Sequence, residues 1–194
     1  MRYQQVYFSA RRGARGLAAA TVLWAGLATG AGAGAEIDKP EPPVSVIRSV
    51  GAAPIREGQL DEEAWQAADV LTGFTVPLAL DRATQSSEAR WLHDATNLYL
   101  YVKAREAFGG PVLEKEGDSP FKGDNFEIFI QPDPGSDTYY QVVVSARGGL
   151  YAARGRNPEW QHGIRAETVR EPGAWSLAVT LPLADLGLAA PGAG

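Results

Sequence analysis

The sequence predicts an all-β fold, an antiparallel β-sandwich of the immunoglobulin-like or jelly-roll type, on three observations. From about residue 86 onward, short segments alternate apolar and polar side chains with the period of two that a strand imposes. Gly, Pro, Asn and Asp separate these segments at roughly regular spacing, as the turns of a sandwich require. Neither a βαβ rhythm nor a repeat of roughly 20–50 residues interrupts the pattern.

Taken in order, residues 1–35 read as a signal peptide. Arg2, Arg11, Arg12 and Arg15 make a basic start, "LAAATVLWAGLATG" is apolar but short and rich in Gly and Ala, and Ala33–Ala35 offers a small-residue cleavage site. The Arg11–Arg12 pair hints at a twin-arginine route, although the apolar residues expected just after it are missing. An uncleaved N-terminal anchor is the alternative. Residues 36–47 form a Pro-rich, acidic linker. The domain follows over 48–194. In it, "DEEAWQAADVL" is a short amphipathic stretch in which Ala64, Trp65, Ala68 and Val70 suit a turn or two of helix. "SEARWLHD" and "NLYLYVKARE" are strands joined by a turn built on Asp94 and Asn97. "NFEIFIQ", "YYQVVVSA", "GLYAARG", "IRAETVRE" and "WSLAVTLPL" complete the strand set.

Composition narrows the chemistry. Residues 36–194 hold all 23 acidic side chains and 14 of the 18 basic ones, a net charge of −9. This argues against nucleic acid, whose binding rests on neutralising phosphates. Cysteine is absent, which excludes disulfides, thiolate zinc sites and thiol nucleophiles. With the leader removed, no membrane span is expected, and the mature protein is placed outside the cytoplasm, periplasmic or secreted.

The segment "GDNFEIFIQPDP" carries the strongest functional signal. Alternation puts Phe126, Ile128 and Ile130 on one face and Asn125, Glu127, Phe129 and Gln131 on the other. The next strand adds Tyr139, Gln141 and Ser145 to the Glu127 face, with Val142 and Val144 in the core. Sugars present flat CH faces and rings of hydroxyls; aromatic faces suit the first, and carboxylates and amides suit the second. A structural carboxylate that holds a loop or a calcium ion is the competing reading of Glu127.

The succession "IREGQLDEEAW", "LHDATNLYLYVKARE", "GDNFEIFIQPD", "YYQVVVSARG" and "WSLAVTLPLADLG", over residues 55–187, resembles the family 9 carbohydrate-binding modules and their relatives. The resemblance implies a sandwich that grips a polysaccharide or oligosaccharide, in the best-known members the chain end of a glucan or xylan. There, two Trp rings flank the sugar, and a Glu, an Arg and amides bond its hydroxyls. Glu127 falls on the sugar-bonding Glu and Phe121 on the first Trp. The position of the Arg is taken by Val143, and the second Trp belongs to a segment beyond "LAAPGAG". The expected site is therefore Glu127, Phe121, Asn125 and Gln141, with Trp160 as a candidate ring, and the sandwich is expected to lack its C-terminal strands.

Other chemistries find less support. Glycoside hydrolysis needs two carboxylates roughly 5–9.5 Å apart across one bond; Asp124 lies on the opposite strand face from Glu127, and Asp118 sits in the preceding loop. Neither G-x-S-x-G nor H-E-x-x-H occurs, so a non-catalytic module is expected. A b-type haem would have to rest on His93 and His162, because Met1 is the only methionine and leaves with the leader. Asp133 and Asp137 share one tight loop that would suit a structural calcium ion, or a plain turn; no other cofactor is expected. Trp160, in the polar loop "RGRNPEWQHG", is either a ligand platform or a plug at one end of the sandwich. Trp65 and Trp175 read as core, and Trp91 is undecided.

Overall fold

The computed structural model describes residues 3–13, 16–21, 44–56, 59–72, 86–106, 110–133 and 135–188. Its elements are β1 (Tyr3–Gly13), β2 (Gly16–Thr21), β3 (Val44–Ser45), β4 (Arg48–Ser49), β5 (Ile55–Arg56), β6 (Gln59–Leu60), α1 (Glu62–Gln66) and β7 (Val70–Leu71). There follow β8 (Ser87–His93), β9 (Asn97–Arg105), a 3₁₀ turn (Pro120–Lys122), β10 (Asn125–Gln131), β11 (Tyr140–Ser145), β12 (Leu150–Arg154), β13 (Arg165–Glu171) and β14 (Ala174–Pro182). One sheet runs β12-β11-β10-β1-β2-β3. The other runs β13-β14-β9-β8-β4, with β7 also on β8.

The two sheets face each other across a common core, so the molecule is the expected all-β sandwich. From one sheet come Phe126, Ile128, Ile130, Val142 and Val144, and from the other Leu98, Leu100, Val102, Leu177, Val179 and Leu181. These are the alternate residues of their strands, which the period-two pleat sends to one face. Full burial of each is worth about 1.5–3 kcal/mol. The rings of Phe126 and Trp175 meet across the two sheets with centroids 5.1 Å apart. Trp91, undecided from sequence, belongs to this core.

Trp65 is also buried, but in a second cluster. Asp61 caps α1 by accepting a hydrogen bond from the Ala64 amide, and the short helix lays Trp65 and Ala68 over Leu92 and Tyr99. Because Tyr99 alternates with Leu98 and Leu100, this is the outer face of the β9–β8 sheet. That sheet is thus apolar on both sides. The turn before β9 forms as the sequence implies: Asp94 Oδ1 accepts from the Thr96 and Asn97 amides at 2.8 and 2.7 Å. The Tyr99 hydroxyl donates to Asp94 Oδ2 at 2.6 Å. Burial, reinforced by that bond, pushes the Tyr99 hydroxyl up to about 12. Burial works against the Asp94 carboxylate, but the bonds from Tyr99, Thr96 and Asn97 together hold it below its ordinary value.

The sheets are not wholly antiparallel. β4 pairs parallel with β8, and β1 lies parallel to β10 in the register Tyr3↔Asn125 to Ser9↔Gln131. Both β1 and β2 fall within the stretch read as a leader. The pairing is that of the uncleaved chain, and processing at Ala35 would remove both strands. The Ala33–Ala35 cleavage site, most of the linker and the stretch after Leu188 lie outside the described residues.

Candidate functional site

The face of β10, β11 and β12 that looks away from the core carries the polar residues. In the antiparallel register Asn125 is opposite Ser145, Glu127 opposite Val143 and Phe129 opposite Gln141. The next ladder places Tyr151 opposite Val143 and Ala153 opposite Gln141. A tight turn with Gly148 at φ +101°, a backbone shape that side-chain-bearing residues resist, lets β12 fold back on β11.

Glu127 sits at the middle of this face, 7% exposed. Gln141 Nε2, diagonally across the strand pair, donates to Glu127 Oε1. The carboxylate is thereby held in one orientation beside Val143, not in a wholly apolar setting. Asn125 is buried, and its amide nitrogen donates to the Gly123 carbonyl at 2.9 Å. Rings stand on two sides. Phe121, on the 3₁₀ turn, meets Tyr151 edge-on at 5.2 Å, and Phe129 meets Tyr139 at 6.0 Å. All four rings are partly exposed, so the face combines a fixed buried acceptor with aromatic surface that reaches solvent. Such a surface can hold a hydroxyl-rich ligand with an apolar ring face.

Four of the five expected residues, Glu127, Phe121, Asn125 and Gln141, therefore gather on one face. Trp160 does not join them. Its ring lies 4.8 Å from that of Tyr140 and 5.2 Å from His162, and Tyr140 points into the core, opposite to Gln141. The polar loop tucks Trp160 against the core edge, on the side of Tyr140 and away from Glu127. Val143 is fully buried, an apolar residue where the family resemblance implies an arginine. Two residues of this region were missed: Tyr151, which the alternation of "GLYAARG" could have placed, and Glu114, whose Oε1 accepts from Ser145 Oγ at 2.5 Å and which sits in an aperiodic loop.

The remaining candidates sit apart from this face. Asp133 Oδ1 accepts from the Gly135 amide at 2.9 Å, and the Asp133 carbonyl accepts from the Ser136 amide at 3.0 Å, the bonds of a turn-former. Among the described residues no three His, Cys, Asp or Glu side chains gather as metal ligands. His93 is buried at the end of β8 with Nδ1 3.0 Å from the Asp94 carbonyl, whereas His162 packs on Trp160. No helix among the described residues is long and apolar enough to cross a membrane.

A sandwich with one polar and aromatic outer face is the architecture of many lectin-like binding domains. The profile of the carbohydrate family 9 binding domain-like proteins matches residues 55–193, and the chain belongs to that family. It is 27% identical over 99 residues to the exoglucanase XynX of Acetivibrio thermocellus and 26% identical over 98 residues to the endo-1,4-beta-xylanase A of Thermotoga neapolitana. Those alignments span 51% and 50% of this chain but only 8% and 9% of the enzymes. Among solved structures, a Bacteroides uniformis protein described as carbohydrate-binding aligns over 73% of both chains, with 18% identity and a TM-score of 0.57. A family 9 module of Caldicellulosiruptor kristjanssonii in complex with glucose aligns over 71% of this chain and 68% of its own, with 16% identity and a TM-score of 0.48.

Proposed function

We propose that this chain is an exported, non-catalytic module that binds a glycan, a glucan or xylan chain end, on the Glu127 face. One observation carries the reading: a buried carboxylate, oriented by Gln141, shares its sheet face with two ring pairs that reach solvent. A sugar hydroxyl donating to Glu127 makes a charge-assisted bond, and Phe121 or Tyr151 covers the CH face of the same sugar. The names of the related enzymes, an exoglucanase and a xylanase, favour β-linked glucose or xylose polymers over other glycans. Export follows from the basic and apolar character of residues 1–35. A module that only binds fits a face on which Glu127 is the one acid of its strand row.

The test is a glycan array probed with the full chain and with Glu127→Ala. Selective retention on cello- or xylo-oligosaccharides that the variant loses supports the reading. Equal or absent retention for both proteins overturns it. Release of shorter sugars from the same ligands during incubation would instead make the module an enzyme.

A further inference from the structure

Residues 3–9 fall within the stretch read as a leader but carry the pattern of a strand. "YQQVYFS" has no charge, lies ahead of Arg11, Arg12 and Arg15, and alternates Val6 and Phe8 with Gln5, Tyr7 and Ser9. Tyr, Val and Phe favour strands. A leader sets its apolar core after its basic residues, so an alternating stretch before them has no part in export.

The strand that this segment joins needs a partner on that side. The Ala146 amide donates to the Asp124 carbonyl at 2.8 Å, and residues of an antiparallel pair take turns bonding across and facing away. Phe126, Ile128 and Ile130 therefore turn their main-chain groups to β11. Asn125, Glu127 and Phe129 turn theirs to the opposite edge. Asn125 and Glu127 are buried, where unpaired main-chain groups are destabilising. On that edge lies β1, parallel to β10 from Tyr3↔Asn125 to Ser9↔Gln131.

The register matches residue classes on both faces. Val6 is opposite Ile128 and Phe8 opposite Ile130, and both isoleucines belong to the core. In the row of the candidate site, Gln5 is opposite Glu127, Tyr3 opposite Asn125 and Tyr7 opposite Phe129. A slip of one residue would exchange the two sets, so the alternation selects this register. An amide between two tyrosines is thereby added beside Glu127, and these are the residue types that suit sugar hydroxyls and CH faces.

We propose that residues 3–9 form a working strand of the binding face: they close the edge of β10 and contribute Gln5, Tyr3 and Tyr7 to the glycan site. The chain then grips its glycan more tightly with this segment in place than after processing at Ala35. The sugar part of this inference rests on the glycan reading above, whereas the strand part does not.

The experiment uses the full chain and two measurements, hydrogen exchange of single amides by NMR and calorimetric titration with cellotriose. In the double variant Gln5→Pro with Val6→Pro, one proline must strike the β10 ladder, because successive N–H groups of a strand point to opposite sides. Exchange at the Asn125, Glu127 and Phe129 amides should rise at least about tenfold, and more than at Ile128, whose amide faces β11. Should that chain not fold, Val6→Gly, a poorer strand former, should produce a smaller rise at the same three amides. Gln5→Ala should leave exchange at the parent's rates and weaken cellotriose binding by roughly 2–10-fold, the scale of one neutral hydrogen bond. Equal exchange at the three amides in the parent and the strand-breaking variant overturns the strand. Exchange that responds, with cellotriose affinity the same in the parent and Gln5→Ala, overturns its part in binding. A parent that protects the three amides yet binds no sugar upholds the strand and overturns the glycan reading together with the binding role built on it.

Discussion

The contribution of Glu127 to sugar binding can be resolved by a graded series, Glu127→Gln and Glu127→Ala. Gln141 already donates to Oε1, so a ligand hydroxyl that joins it adds one charge-assisted bond, not a bidentate pair. A hydrogen bond to a charged group is worth about 1.5–3 kcal/mol. At 1.4 kcal/mol per tenfold, Glu127→Ala should weaken cellotriose binding by roughly 10–150-fold. Glu127→Gln keeps an acceptor oxygen for Gln141 and for the sugar but loses the charge. Neutral bonds are about half as strong as charge-assisted ones, so this variant should lose about half as much free energy. The assay is isothermal titration calorimetry at 25 °C, with thermal melts to confirm that each variant is folded. Equal affinities across folded Glu, Gln and Ala proteins would refute the reasoning and leave Glu127 a structural carboxylate.

Three further outcomes are expected. Phe121→Trp enlarges the ring beside Tyr151 and should tighten sugar binding by about 0.5–1.5 kcal/mol, the scale of an added aromatic contact; calorimetry showing a loss would place Phe121 outside the site. Trp160→Ala removes a partly buried ring from the core edge and should cost about 2–4 kcal/mol of stability in urea melts, while folded protein keeps the parent's sugar affinity. Tyr99→Phe tests the turn at Asp94. The Asp94 carboxylate is held below its unfolded value of 3.8, so its stabilisation is present above that pH and disappears as pH falls through the lower folded value. Without the Tyr99 bond that difference shrinks, so stability should fall less for the variant than for the parent between pH 5 and pH 2; identical pH profiles would count against it.

Strand positions were legible because burial on one face forces alternation. "NFEIFIQ" coincides with β10, and its pairing with "YYQVVVSA" puts Gln141 on the side of Glu127 from alternation alone. The helix at Trp65 was legible from spacing, but not that its ring would seal the outer side of a sheet rather than join the main core. Periodicity shows that a residue is buried and leaves open which layer buries it. Trp160 and Glu114 were beyond reach for another reason. Both sit in loops, where neighbours in space are set by the path of the chain and not by a repeat, so a polar context around a Trp gives no sign of a core ring nearby. The parallel partners β1 and β4 were hidden likewise, since parallel pairing joins segments distant in sequence with no turn to mark them.

The apolar layer that α1 lays over Leu92 and Tyr99 gives the sandwich a front and a back. Glu127 looks outward from one sheet and Trp65 covers the outward side of the other, with the core between them. A polymer resting on the front therefore meets none of the helix, and Gly51 and Ala52, exposed in the loop between β4 and β5 on the way to that helix, belong to the rear. A dye or a surface tether placed at that loop should leave the front open. Immobilised there, the protein would present its carboxylate and rings to whatever flows past.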